Sequence, residues 1–404
     1  MLSGPFLTGA LPASVAGEIA LTLVLLTTCG LLIRTLIHLE TLAPGFTPNG
    51  VMAAKASLDD VRFHDPATFR KLLDESIAAM RQIPGVQNVA VGLTLPYERA
   101  LNNDVVLTDG KSAGQHVETD FAYVTPGYFD TLQMPLLAGR VFTNGDGPIA
   151  QHVAIVNRVF SLKFYGGASP VGRYINQDTM IVGEVADVSA SSGLDEGAGP
   201  LTIEQTIYIP AAQVNEHLLS GVHVWVQPSW IVRTAGPRID LTAEMQRALS
   251  NVDPGLPFSG FYRMSDLLDQ TLVTQRIEVA LLSAMAALAL LLSMVGIFAL
   301  VANMVAQRTR EIGVRIALGS SLSRAMMQTS SSAMAASALG IGFGLLLCIG
   351  IMPLMRGAIY GIGVYDGLTL TVVVLTFVLV SLLATTAPTL RILQIDPAKA
   401  LREE

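Results

Sequence analysis

Four stretches of the chain, at 15–37, 279–305, 325–355 and 368–390, are apolar without any regular polar period. Each is long enough to cross about 30 Å of hydrocarbon as a helix, which takes roughly 20 residues. The last three contain no charged residue. The first has Glu18 near its start and Arg34 near its end, where a long side chain can reach the interface. The chain between the first two stretches follows other periods. "VMAAKASL" (51–58) reads as a strand, and 66–82 as a helix with Phe69, Leu72, Leu73, Ile77 and Met80 on one side. "PG" at 84–85 marks a turn, and "VQNVAVGLTL" (86–95) returns as a strand.

A second series resembles the first. "VHVWV" and "WIVRT" read as strands, 241–250 as a helix, "DPG" (253–255) as its end, and "PFSGFYRM" follows. Two strand–helix–turn–strand units predict an internal repeat. Further strands are expected at 152–157, 179–188 and 206–210, which gives an α+β domain. From Met264 the residues Leu267, Leu268, Leu272, Ile277 and Leu281 keep helical spacing with no Gly or Pro between them. The second span is therefore expected to continue outward as an unbroken stalk. The predicted fold is a membrane protein of four transmembrane helices with a large α+β extracytoplasmic domain. Its divisions are 1–40 (first helix), 41–265 (α+β domain) and 266–404 (stalk, three helices, a loop at 306–324 and a tail).

Composition supports the membrane reading: 51% of residues are hydrophobic and 14% charged. A net charge of −7 with no basic patch points away from nucleic acid. Cys29 and Cys348 both fall in apolar runs and offer no disulfide framework. Residues 1–17 contain no Lys or Arg, and apolar sequence continues past Cys29. Thr28 stands where a lipoprotein cleavage box takes a smaller residue. The first run is thus expected to be a retained helix and not a cleaved leader.

Charge is concentrated at "QRTREIGVRIALGSS" (307–321). Arg308, Arg310, Arg315 and Arg324 against Glu311 place this short connection in the cytoplasm by the positive-inside rule. The large domain then lies outside and both termini inside, with Arg391, Lys399 and Arg402 in the tail. The N-terminal segment fits this less well, since it has no cation and Arg34 falls on the outer side. On a helix, Arg308, Glu311 and Arg315 share an arc of roughly 60°, and Glu311 precedes Arg315 in the favourable order. Ile312 and Ile316 form an adjoining apolar strip, and Gly319 suits a helix end. A short surface helix with these features is either a topology signal or a docking element.

Enzyme motifs are missing from the sequence. "GKS" (110–112) has Val105 where a phosphate-binding loop needs its first Gly. The six histidines show no metal-ligand spacing, and no G-x-S-x-G elbow occurs. Glu184 and Asp187 read as a strand end. The spans are expected to hold no buried charge of the kind that marks an ion pathway, which argues against a midplane solute site. Gly340-x-x-x-Gly344 allows close helix packing, within the chain or with a second copy. No catalytic residue, cofactor or metal is expected.

These residues resemble the FtsX-like/MacB-like permeases of ATP-binding-cassette systems. "QRTREIGVRIALGSS" is similar to their signature and "EIALTLVLLTTCGLLIRTL" (18–36) to their first span. "VTPGYFDTLQMPLLAGRVFT" (124–143), "VAIVNRVF" (153–160), "PVGRYI" (170–175) and "IVGEVADV" (181–188) resemble their periplasmic core domain. "IDPAKALREE" (395–404) resembles their ending. The resemblance implies a four-span inner-membrane permease that works with a cytoplasmic ABC ATPase and a second permease unit, as homo- or heterodimer. It also implies contact with membrane lipid, and with a periplasmic adaptor and an outer-membrane protein in the export members. Their coupling helix falls at 308–318, so Arg308, Arg310, Glu311, Ile312, Arg315, Ile316 and Leu318 would meet the ATPase and move the outer domain, a process called mechanotransmission. "GYFDTL-x-x-PLLAGR-x-F" is most similar to one half of the duplicated permeases. "PTLRILQ" (388–394) carries fewer cations than their usual "PARRA". A regulatory transducer acting on a wall hydrolase and a degenerate half-permease are the alternatives.

Overall fold

A computed structural model describes residues 6–98, 101–110, 112–189, 201–222, 227–236, 240–256, 258–317 and 322–390; the side chains of 6–13, 222, 307–334, 336 and 387–390 lie outside the description. The chain divides into two compact units: residues 41–273, and residues 1–40 with 274–404.

The membrane unit begins with α1 (Phe6–Thr41). The sheet domain follows, built first from β1 (Val51–Ala56), α2 (Pro66–Arg81) and β2 (Val86–Gly92). Asp65 caps α2 by accepting from the Thr68 N–H at 2.8 Å, and Pro66 occupies the first turn, where its missing N–H costs nothing. Phe69, Leu72, Leu73, Ile77 and Met80 are all buried on one face, as their spacing predicts.

Then come β3 (Leu101–Val106), β4 (His116–Val124), α3 (Tyr128–Leu132), β5 (Leu136–Gly139), β6 (Val153–Asn157) and α4 (Arg158–Tyr165). They are followed by β7 (Tyr174–Ile175), β8 (Thr179–Val185), β9 (Thr206–Pro210) and α5 (Glu216–Val222). The domain closes with β10 (Ser229–Thr234), α6 (Thr242–Val252), β11 (Phe258–Arg263) and α7 (Met264–Thr271). The strand expected at "VHVWV" falls largely outside the described residues.

All of these strands join one sheet in the order β11-β1-β10-β2-β4-β9-β6-β8-β5, with β3 beside β4 and β7 beside β8. The first four are antiparallel neighbours. That order makes β1-α2-β2 and β10-α6-β11 two split β-α-β units, each with a strand of the other in its middle. The predicted repeat is therefore structural, with α2 and α6 side by side. Their apolar faces, with Trp230, Val89, Val91, Val232, Met245 and Leu249, form one core. The segment between the units builds the mixed half of the sheet, in which β4–β9 and β6–β8 are parallel. The halves meet at a single registered pair, Gly92 and Val124. A second core forms under α4 from Phe160, Phe164, Val156, Ile181 and Ile207.

The membrane unit resumes with α8 (Val273–Ala317), α9 (Leu322–Ile351) and α10 (Gly367–Leu390). Four helices are apolar and long enough to span a bilayer: 14–41, 273–306, 337–358 and 367–386. Two expectations need correction. The stalk is not one helix from Met264, because it is divided at Leu272 between α7 and α8. No Gly or Pro causes the break. Met264, Leu267 and Leu272 are buried, and Leu272 donates its N–H to the Leu268 carbonyl at 3.1 Å, closing α7 against the sheet domain. The charged segment, in turn, is not a separate surface helix, since α8 runs unbroken from the span through Ala317.

Candidate functional site

Arg308, Arg310, Glu311, Ile312, Arg315 and Ile316 occupy the last three turns of α8. Their side chains, and Leu318 altogether, lie outside the described residues. The described part of the site is therefore the packing that holds α8.

α1 lies antiparallel to α8. Thr22 Oγ1 is 2.8 Å from Ser293 Oγ and donates to the Glu18 carbonyl at 2.8 Å. Cys29 Sγ is 3.2 Å from Ser283 Oγ, and Glu40 pairs with Arg276 at 2.9 Å. Contacts thus run from Ser293 to Arg276 on α8 as α1 advances from Thr22 to Glu40. Glu18, the carboxylate noted near the start of the first span, is half-buried. It sits inside α1, with one carboxylate oxygen enclosed without a hydrogen-bond partner and the other beside Gly296 of α8.

α1 and α9 run parallel. A methyl group added at Gly340 would lie 2.7 Å from Ile19 Cγ2 and 2.9 Å from the Ala16 carbonyl; one at Gly344 would lie 3.1 Å from Ala20 Cα. Both glycines therefore let α9 approach α1 closely, within the chain. Farther along, Cys348 Sγ is 3.7 Å from Thr27 Oγ1. Asp366 caps α10 by accepting from the Thr369 N–H at 2.7 Å, and it also pairs with Arg34 of α1. The Thr369 hydroxyl and the Arg34 guanidinium hold the Asp366 carboxyl down at about 2. Arg34, the cation that fitted the charge pattern least well, therefore has a packing role.

The sheet domain has polar features that sequence reasoning missed. Arg233 is buried on β10 and donates to three carbonyls, of Thr131 at 2.5 Å, Asn49 at 3.0 Å and Thr47 at 2.6 Å. Asp120 on β4 is buried beside a cavity of about 30 Å³ lined also by Glu98, Tyr128 and Tyr208. Burial, with Glu204 and Glu118 nearby, pushes its carboxyl up to about 7. The strand-end carboxylates are structural: Glu184 lies 4.0 Å from Arg158, and Asp187 accepts from the Val159 N–H at 2.7 Å at the start of α4. Among the described residues no group of three or more His, Cys, Asp or Glu is placed to hold a metal ion.

Comparison with known proteins gives two family matches. Residues 283–397 match the FtsX-like permease C-terminal model, and residues 41–247, just over half of the chain, match the MacB-like periplasmic core domain. The pyoverdine export ATP-binding/permease protein PvdT of Pseudomonas aeruginosa is 26% identical over 276 residues, 65% of this chain and 40% of PvdT. The macrolide export ATP-binding/permease protein MacB of Wolinella succinogenes is 27% identical over 227 residues, 55% of this chain and 34% of that protein. The chain thus spans well under two thirds of these relatives. Among solved structures, the periplasmic region of MacB from Actinobacillus actinomycetemcomitans aligns with 60% of this chain and 98% of its own, at 13% identity and a TM-score of 0.37. With both of its regions matched in order, the chain belongs to the FtsX-like ABC transporter permeases that carry a MacB-like periplasmic core domain.

Proposed function

We propose that the chain is the permease component of an ATP-driven export system and that α8 couples a separate cytoplasmic ATPase to the sheet domain. The observation that carries this reading is the continuity of α8, whose 45 residues hold both the second span and the charged segment. At 1.5 Å per residue such a helix is about 68 Å long, more than twice the hydrocarbon thickness. Force applied at Arg308–Ile316 passes along hydrogen-bonded backbone and not through a loop. The arginines place this end in the cytoplasm, and the sheet domain then lies on the opposite side. The names of PvdT and MacB, both export proteins, favour export over a purely regulatory role. A second permease unit completes the assembly, with an adaptor and an outer-membrane protein as further partners.

The test reverses two charges of the segment, Arg310→Glu with Arg315→Glu, in the full chain expressed with a cassette ATPase from the same cell. The variant should insert in the membrane normally and lose at least about tenfold in ATPase co-purification, as expected when buried or rim charge pairs are inverted. Undiminished association would leave the arginines as topology signals alone.

A further inference from the structure

The end of the membrane unit that holds the Glu40–Arg276 and Arg34–Asp366 pairs also contains a cavity of about 200 Å³. Its walls come from α1, the start of α8 and the segment 357–360. Thr35 is only 3% exposed, and its hydroxyl has no hydrogen-bond partner. Gln275 Oε1 is likewise enclosed without a partner. Glu278 adds a carboxylate that makes no ion pair among the described residues. The Tyr360 hydroxyl donates to the Gly357 carbonyl, so its oxygen is left as an acceptor towards the cavity. Leu32, Leu36 and Val279 supply the apolar part of the wall.

The inventory is one-sided. A carboxylate, an amide oxygen and two hydroxyl oxygens converge on one space, and no Lys or Arg lines it. The buried oxygens of Thr35 and Gln275 are costly to leave unpaired, and Glu278, exposed at the edge of the cavity, adds the negative charge. A group with several N–H donors and a positive charge satisfies all four together. A primary ammonium has three donors. A quaternary ammonium has none, and an anionic group would meet only acceptors and a like charge. The leucine and valine walls lie on two candidate spans and suit the glycerol or alkyl portion behind such a head.

We propose that this cavity binds a primary-ammonium head group, such as that of an ethanolamine lipid, through Thr35, Gln275 and Glu278. The site does not depend on the export reading, since it lies wholly within the membrane unit.

The experiment uses the full chain in nanodiscs whose lipid is phosphatidylcholine, doped with phosphatidylethanolamine or phosphatidylglycerol, and reads retained lipid by native mass spectrometry. Phosphatidylethanolamine should be retained at about a tenfold lower mole fraction than either other lipid, the difference expected for charge-assisted hydrogen bonds. Glu278→Gln, an exposed and conservative change, should erase most of that preference, and Thr35→Val with Gln275→Leu should reduce it. Displacement by free ethanolamine at millimolar concentration would assign the site to a soluble amine, and resistance would assign it to the lipid. Both outcomes uphold the ammonium site. Equal retention of the three lipids without ethanolamine binding overturns it, as does a preference that survives all of these substitutions.

Discussion

In the sheet domain the largest fully enclosed side chains include the aromatics Trp230, Tyr128, Phe69 and Phe160, whereas in the membrane unit they are mostly aliphatic, such as Ile19, Leu23, Leu31 and Leu39, and α9 meets α1 closely at Gly340 and Gly344. Many large apolar side chains there also face away from the other helices: Leu281, Leu288, Leu292, Leu339 and Leu346 are between 62% and 71% exposed, while Ile19, Leu23, Leu31 and Phe377 are enclosed. Leucine thus lines the outside of the membrane unit as well as its interior, whereas the sheet domain keeps its largest apolar groups inside. The reason is the solvent. Water expels apolar surface, so the domain collapses around its largest groups. Lipid does not, so helices associate by close packing and by polar contacts. Truncation is the most direct way to break this comparison. Trp230→Ala should cost about 3–5 kcal/mol, because it opens a cavity and removes the hydrogen bond that Trp230 Nε1 donates to the Ser76 hydroxyl at 2.7 Å. Leu288→Ala should change stability by less than about 0.5 kcal/mol. Denaturant titration of the full chain in detergent, with hydrogen exchange to locate the change, would measure both.

Asp120 sharpens the comparison from the polar side. Its folded carboxyl titrates at about 7, mainly through burial, against an ordinary value near 4 when unfolded. The folded state therefore holds an extra proton between these values. That stability is fully present below about pH 4 and is lost as pH rises through about 7. Asp120→Asn should stabilise the sheet domain at pH 8 by on the order of 3 kcal/mol and make little difference below pH 4. Hydrogen exchange of the β4 and β9 amides at two pH values reads this locally. Equal protection in variant and parent at pH 8 would show that water reaches the carboxylate.

The glycine seam gives a smaller effect and has an internal control. Gly344→Leu should overpack α9 against Ala20 and Leu23 and destabilise the membrane unit by about 1–3 kcal/mol. Gly342→Leu, two residues away, meets nothing within 4 Å and should be tolerated. Unfolding of the two variants in mixed micelles should separate them clearly. If they unfold alike, close packing does not hold α9 to α1.

Strong periodicity carried the parts of this architecture that the sequence showed. The α2 face from Phe69 to Met80, the four spans and the paired strand–helix–turn–strand units all repeat a local signal, and each is found in the fold. β3 and β4 were not legible. "LNNDVV" and "HVETDFAYV" mix exposed polar positions with apolar ones, and their pairing with each other and with β9 is decided by tertiary contact. The break at Leu272 has no Gly or Pro to announce it; burial of Leu267 and Leu272 imposes it. At the candidate site the arginine cluster was visible as charge. The continuity of its helix with the span was not, since the charged residues read as a short surface helix ending near Gly319. Thr35, Gln275 and Glu278 are an ordinary scatter in sequence, and only the fold converges them.

A small effect tests the comparison at its narrowest point, the Thr22–Ser293 contact between α1 and α8. Both residues are buried, and the oxygens are 2.8 Å apart, so in an apolar surrounding the pair looks strong. Yet helices separated within a membrane still find partners for their hydroxyls. Thr22 already has one in the Glu18 carbonyl of its own helix. The net value of the interhelical bond is then about 0.6 kcal/mol, the usual figure for such pairs. Thr22→Val alone would mislead, because it also removes the contact with Glu18. A double-mutant cycle with Ser293→Ala cancels that contribution and leaves the coupling between α1 and α8. A coupling above about 2 kcal/mol would mean that α8 is fixed to α1 as firmly as the sheet-domain core is fixed together. A helix so anchored could not transmit motion by sliding along α1. Coupling near the lower figure leaves α8 held by many weak contacts, which is the condition for a rod that moves while remaining in register.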